Sequence, residues 1–190
     1  MDYARQHGYP VPAVEDLSDD GTDLVMARVD GPSLVAVMSR RPWTLRRQAA
    51  VLADLHHRLH QIPAPPWVPT APCGDGDRLL HLDLHPLNVI IGDDGPVVID
   101  WSNASRGDGN VDIALAWILI ASGDIPFGRV KAAVLGRGRA MVVNSFLRGC
   151  DLTAVRRHLP LVVEWKVKDP NMTDVERRGM WELARRAGIP

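Results

Sequence analysis

The chain has 190 residues, of which 46% are hydrophobic and 24% charged, with a net charge of −1, the composition of an ordinary globular protein of one or at most two domains. No run approaches the ~18 apolar residues of a membrane span, and Met1-Asp2-Tyr3-Ala4-Arg5 lacks the apolar segment of a secretory signal. The expectation is a cytoplasmic protein with no membrane and no nucleic-acid partner, its two cysteines, Cys73 and Cys150, reduced and without a role.

The small net charge hides an uneven distribution. Residues 1–124 hold 9 Lys and Arg against 17 Asp and Glu, and residues 125–190 hold 13 against 6, or −8 and +7. The plain reading is that arginines on amphipathic helices are solvated; the sharper one is that the basic half disfavours a polycationic ligand.

Met1 to Gly8 reads as the tail of a helix stopped by Gly8, with Pro10 and Pro12 forcing extended chain after it. Two short strands, Ala13 to Asp16 and Leu24 to Arg28, flank the turn Ser18-Asp19-Asp20-Gly21, and a helix from Ser33 to about Arg40 follows the break at Asp30-Gly31-Pro32. Thr44 is predicted to cap a long helix to about Gln61, in which Leu45, Gln48, Leu52, Leu55 and Leu59 recur at helical spacing. His56, His57 and His60 on that helix invite a zinc reading, which the lack of a nearby Cys or Glu partner weakens. Pro63 to Pro72 is predicted to be an ordered loop.

The stretch Leu79 to Trp101, LLHLDLHPLNVIIGDDGPVVIDW, carries most of the potential chemistry. Val89-Ile90-Ile91 and Val97-Val98-Ile99 flank Gly92-Asp93-Asp94-Gly95-Pro96, the pattern of a tight hairpin between buried strands. Pairing would bring Asn88, before the first strand, and Asp100, after the second, to one end. An amide and a carboxylate there suit Mg²⁺, which takes its remaining ligands from water and substrate phosphates. Asp83 is then free to orient a hydroxyl and accept its proton. Val111 to about Ala121 is a nearly all-apolar helix with Asp112 in its first turn. Three helices follow: Phe127 to about Arg148, Leu152 to about Lys166 capped by Asp151 and kinked or split at Pro160, and Thr173 to Arg186 opened by a Thr173-x-x-Glu176 capping box and ending near Gly188.

His81-x-Asp83-x-x-x-x-Asn88, then Ile99-Asp100-Trp101, then Gly107-Asp108-Gly109-Asn110-Val111-Asp112 resembles the aminoglycoside phosphotransferase family and, more broadly, the protein-kinase-like fold. The family usually has HGDLHPGN where this chain has HLDLHPLN, so Leu82 and Leu87 replace two glycines. The resemblance implies an α+β chain: residues 31–190 as a mainly helical, kinase-like C-terminal lobe with a catalytic β-hairpin, and residues 1–30 as a remnant of the N-terminal lobe with the hinge. It implies ATP, or another nucleoside triphosphate, and Mg²⁺ as cofactors, a small-molecule hydroxyl as acceptor, Asp83 as base, and Asn88 and Asp100 as metal ligands. It places adenine-binding backbone at Ala27 and Val29, and gives supporting roles to His81, to His85 and to Asp112, whose carboxylate would accept N–H groups of the catalytic loop.

The family's glycine-rich phosphate-covering loop and strand lysine have no counterpart in the first twenty residues, and the first lysine is Lys131. The chain is therefore expected to correspond to roughly the C-terminal two-thirds of the family's fold, as part of a longer protein or as a truncated and weakly active member. Two other readings stay open at this point. One is a non-catalytic, kinase-like interaction module; the other is a metallohydrolase using His81, Asp83, His85 and Asp100, since H-x-D-x-H offers mixed nitrogen and oxygen ligands.

Overall fold

The computed structural model describes residues 1–122, 129–170 and 172–187. Seven helices and three separate two-stranded antiparallel sheets make up the described architecture, an α+β arrangement in which the sheets hold loops and the helices hold the core. A short helix, α1 (Asp2–Gln6), leads through Gly8, whose φ of 73° is the left-handed stop foreseen, into a segment that packs on the main core through Ala4 and Tyr9. Strands β1 (Val14–Leu17) and β2 (Leu24–Met26) pair with each other but leave Leu17, Leu24, Val25 and Met26 exposed.

Ser33 caps α2 (Leu34–Arg40) by accepting the Ala36 N–H. Thr44 does not do the same for α3 (Leu45–Leu59). Pro42 opens a 3₁₀ turn, Pro42–Thr44, ahead of that helix, and the Thr44 hydroxyl turns back to donate to the Arg41 carbonyl at 2.7 Å. The apolar stripe of α3 is buried as its spacing predicted, with Ala49, Leu52, Leu55 and Leu59 fully enclosed.

The proline-rich loop is ordered by backbone bonds. The Ala64 N–H donates to the Asp77 carbonyl, and Ala71 and Arg106 exchange bonds with each other's segment, Ala71 N to Arg106 O at 2.8 Å and Arg106 N to Pro69 O at 2.7 Å. These bonds brace two strands absent from the sequence reading, β3 (Arg78–Leu80) and β6 (Ser105–Gly107), which pair antiparallel. Between them lies the predicted hairpin, β4 (Val89–Gly92) and β5 (Gly95–Val98), in the register Val89 to Val98 and Gly92 to Gly95. Gly95, which follows the turn residues Asp93 and Asp94, has a φ of 121°, in the left-handed region that favours glycine.

Helix α4 (Gly109–Ser122) is the centre of the core, buried through Val111, Ala114, Leu115, Ala116 and Ile118. Helices α3, α5 (Arg129–Phe146), α6 (Leu152–Lys166) and α7 (Asp174–Arg186) pack around it. The expected start of α5 at Phe127 and the expected end of α7 near Gly188 lie outside the described residues. Asp151 caps α6 through the N–H groups of Thr153 and Ala154, and the Thr173 and Glu176 capping box is formed. Among the described residues no helix is long and apolar enough to cross a membrane.

Pro160 does not split α6, which runs unbroken past it. Burial of Val155, Leu159, Val162 and Val163 on both sides of the proline holds the turns together, and tertiary packing of an apolar face outweighs a local propensity cost of about 3 kcal/mol. That cost is still present in the folded state. Pro160→Ala is expected to raise stability by about 1–2 kcal/mol in urea denaturation, and a loss of stability would show that packing of the pyrrolidine ring is the larger effect.

Candidate functional site

Strand β3 delivers the chain into His81 and β6 delivers it into Asp108 and α4, so their pairing sets the catalytic-loop candidate beside the first turn of α4. Asp112, 1% exposed, stands at the junction. Its Oδ2 accepts the His81 N–H at 2.9 Å and its Oδ1 the Leu82 N–H at 3.0 Å, while His60 Nε2 donates to Oδ2 from α3 at 3.2 Å. Burial pushes this carboxyl up, but the His60 hydrogen bond and the nearby His56, His60 and His81 rings outweigh burial and hold it well below the usual carboxylate range. It is ionised at neutral pH and locks two backbone donors of the loop.

The α3 histidines are thereby explained without zinc. His60 is bonded to Asp112, and His56, fully buried with its pKa pushed by burial down to about 4, bonds the Leu52 carbonyl through Nδ1 and packs on Phe146. His57 is exposed.

His81 is enclosed, its Nε2 donating to the Ile99 carbonyl at 3.0 Å and its ring against Trp101. Trp101 in turn donates Nε1 to the Val98 carbonyl and meets Tyr9 edge-on. With His81 held in this way, and with no group of three or more His, Cys, Asp or Glu side chains placed around a metal among the described residues, the H-x-D-x-H set does not converge as a transition-metal site.

Asp83 is partly buried and held from several sides. Asn88 Nδ2 donates to its Oδ2 at 3.0 Å and to its backbone carbonyl at 2.9 Å. His85 Nδ1 accepts the Leu87 N–H at 3.3 Å, which places the ring proton on Nε2, 3.7 Å from Asp83 Oδ2. Lys166, from the end of α6, brings Nζ to 3.7 Å from Oδ1. Burial raises the Asp83 pKa, but the adjacent His85 ring and the Lys166 ammonium prevail and hold it below the ordinary value. A carboxylate that stays ionised at neutral pH can receive a proton.

Asn88 and Asp100 sit at the same end of the hairpin, as its pairing predicted: the Asn88 carbonyl accepts the Ile99 N–H at 3.0 Å, beside Asp100. The Asn88 amide donors are engaged by Asp83, which leaves Oδ1 as the atom available to a cation. Asp100 is exposed, adopts φ 61°, and accepts the Ser102 hydroxyl at 2.7 Å through one oxygen only. One amide oxygen and one open carboxylate, both hard donors, fit Mg²⁺.

Ala27 is one of the two residues at which the resemblance places adenine contacts. Its N–H donates to the Ala13 carbonyl at 2.8 Å, extending the β1–β2 pairing. Val29 lies against Gly92, where the segment runs onto the hairpin, and Gly31 (φ 150°) packs so close to Ile91 that a Cβ would sit 2.1 Å from its carbonyl oxygen.

Two residues received no role from the sequence. Lys166 is one, reached only through the packing of α6. Asp108 is the other; it opens α4 by accepting the Asn110 N–H at 2.8 Å and is bound by His158 Nε2 at 3.1 Å, a contact between residues fifty apart that no local pattern announces.

Residues 68–142 match the model of the phosphotransferase enzyme family, APH. Over this segment, which is less than half of the chain, the protein is similar to that family, consistent with an aminoglycoside phosphotransferase-like member. The matched segment runs from the proline-rich loop into α5 and so contains Asp83, Asn88, Asp100, Asp108 and Asp112, the residues just described. No curated protein matches the chain.

In this phosphotransferase-type arrangement Asp112 is the structural node. Asp112→Ala would leave two buried N–H donors and the His60 side chain without their partner, and is expected to cost about 3–5 kcal/mol of stability by chemical denaturation. A loss under about 1 kcal/mol would show that the loop is held by other contacts.

Proposed function

We infer that this chain transfers the terminal phosphoryl group of ATP, or of another nucleoside triphosphate, to a hydroxyl of a small molecule. The observation that supports this reading best is the state of Asp83: ionised, with Oδ2 fixed by Asn88, in a loop fixed by Asp112.

In this reading Asp83 orients the acceptor hydroxyl and takes its proton as the oxygen bonds to phosphorus and the bond to the nucleoside diphosphate oxygen breaks. Asn88 has two tasks: its Nδ2 keeps the base in place and its Oδ1, with Asp100, would hold Mg²⁺. The ion, when bound, neutralises charge on the phosphates. His85 steadies the far side of the carboxylate, and His81 supports the loop from below through Ile99. The Ala27 carbonyl and the Val29 backbone would receive the adenine. Phosphoryl transfer is mainly positioning and electrostatics, and this chain's residues supply the base, the ligand pair and their supports.

One observation favours a second reading, an interaction module of the same fold: the β1–β2 hairpin exposes Leu17, Leu24, Val25 and Met26 together. Equilibrium binding of Mg·ATP separates the two, since a module without catalysis has no need of it.

Asp83→Asn keeps the shape of the side chain and removes its basicity. With Mg·ATP and a panel of neutral, acidic and amino alcohols, phosphate transfer is expected to fall by about 10²-fold or more, with the melting curve little changed; transfer within tenfold of the parent would sink the assigned base. Asp100→Ala is expected to weaken Mg²⁺-dependent nucleotide binding about tenfold or more, and an unaltered Mg²⁺ dependence would place the ligand elsewhere.

A further inference from the structure

Lys166 is the last residue of α6 and only 6% exposed, which is unusual for a lysine. Its ammonium donates to Asp169 Oδ2 at 2.9 Å and lies 3.7 Å from Asp83 Oδ1, so one buried cation faces two carboxylates, one on the catalytic-loop candidate and one on the turn after α6. An enclosed ammonium is tolerated only against compensating charge, and its position at a helix C-terminus adds a favourable dipole.

The turn that carries Asp169 is itself fixed. Asp169 N–H returns to the Lys166 carbonyl at 3.0 Å, and Arg177 of α7 grips the other side, donating Nε to the Val167 carbonyl at 3.0 Å and Nη2 to the Asp169 carbonyl at 2.9 Å. The Thr173 and Glu176 capping box fixes the start of the helix that bears Arg177. A continuous chain of contacts therefore runs from α7 through Arg177, the 167–169 turn and Lys166 to the carboxylate of Asp83.

We propose that Lys166 is a positioning residue of the phosphotransfer site, an interlock that sets the Asp83 carboxylate from the α6–α7 side while Asn88 sets it from the hairpin side. Asn88 holds Oδ2 and Lys166 faces Oδ1, so the two oxygens are oriented by different parts of the fold. The orientation of the carboxylate is thus determined jointly by the loop and by helices that lie outside the family-matched segment. The proposal rests on the reading of Asp83 as the base, and its test keeps the two apart.

Water is an acceptor always present, so ADP release from Mg·ATP by the full chain reports turnover even without the natural alcohol. Lys166→Met, which keeps the packing volume, is expected to lower kcat ten- to a hundredfold with the KM for Mg·ATP within twofold, and Lys166→Arg to restore part of the loss. Lys166→Ala is expected to regain turnover with added propylammonium but not with propanol, a response that a merely structural side chain would not give. In thermal melts, the Tm change caused by Asp83→Asn should differ between the wild-type and Lys166→Met backgrounds, because the two charges feel each other. If Lys166→Met does not fold, Asp169→Asn, which removes the anchor of the ammonium, replaces it in both measurements.

Turnover of Lys166→Met within threefold of wild type, with Asp83→Asn inactive, overturns the interlock and leaves the base assignment standing. Unchanged turnover in Asp83→Asn, or no ADP release by the wild type, overturns the phosphotransfer reading and the positioning role with it, and equal Tm changes in both backgrounds overturn the coupling of the two charges on which the interlock is built.

Discussion

A single buried carboxylate organises the candidate site of this protein. Asp112 would be expensive to enclose alone, since an unpaired buried charge costs several kcal/mol (about 3–5 when a partner is removed). Three donors from two other parts of the chain remove that penalty: the N–H groups of His81 and Leu82, and His60 Nε2. The requirement runs both ways. The loop must present those two N–H groups in one direction, which fixes its backbone just before Asp83; α3 must bring His60 alongside α4; and β3 must pair with β6 so that the loop starts within reach. The apolar faces of α3 and α4 supply the stability, while the carboxylate gives the loop its specific geometry.

Local and tandem features were legible in the sequence. The hairpin of residues 89–98, its turn, the co-location of Asn88 with Asp100, the caps at Ser33, Asp151 and Thr173, and the role of Asp112 all follow from short-range patterns or from linked motifs. Most of what escaped has one physical cause, long sequence separation. Strands β3 and β6 are three residues each, too short to show alternation, and exist because the proline-rich loop and each other supply partners. Lys166 meets Asp83 across 83 positions. Thr44 failed as a cap because Pro42 nucleated a 3₁₀ turn first, and Pro160 failed as a breaker because four buried side chains hold its helix. In each case a tertiary or neighbouring contact outweighed a local preference.

The charge asymmetry along the chain also takes on a specific meaning in the fold. A linear count places an excess of arginine and lysine after residue 124, but several of those side chains do not act alone. Arg177 is bonded to two backbone carbonyls and to Asp174, Arg186 pairs with Glu182, and Lys166 pairs with Asp169 and Asp83. The surface pairs contribute little, about 0–1 kcal/mol each. The buried lysine is of another kind, because it carries the positive half of the molecule into contact with the acidic half at the proposed base.

Backbone strain at the site shows how such a loop tolerates a residue poorly suited to its conformation. Among the described residues two non-glycine residues adopt positive φ, Leu82 at 54° and Asp100 at 61°, one beside the proposed base and the other the proposed metal ligand. A left-handed conformation costs a non-glycine residue roughly 1–2 kcal/mol. At Leu82, where the resembling family has glycine, the side chain is 1% exposed and joins the core with Leu80 and Leu84, and burying a leucine contributes about 1.5–3 kcal/mol. Burial therefore offsets the strain, and the Asp112 bond to the Leu82 N–H prevents the backbone from relaxing away from it. Asp100 has no such burial. Its conformation is held by the hairpin behind it and by the Ser102 hydroxyl ahead, so its strain is compensated by neighbours that fix its carboxylate at the open end of the hairpin, beside Asn88, where a cation can reach it.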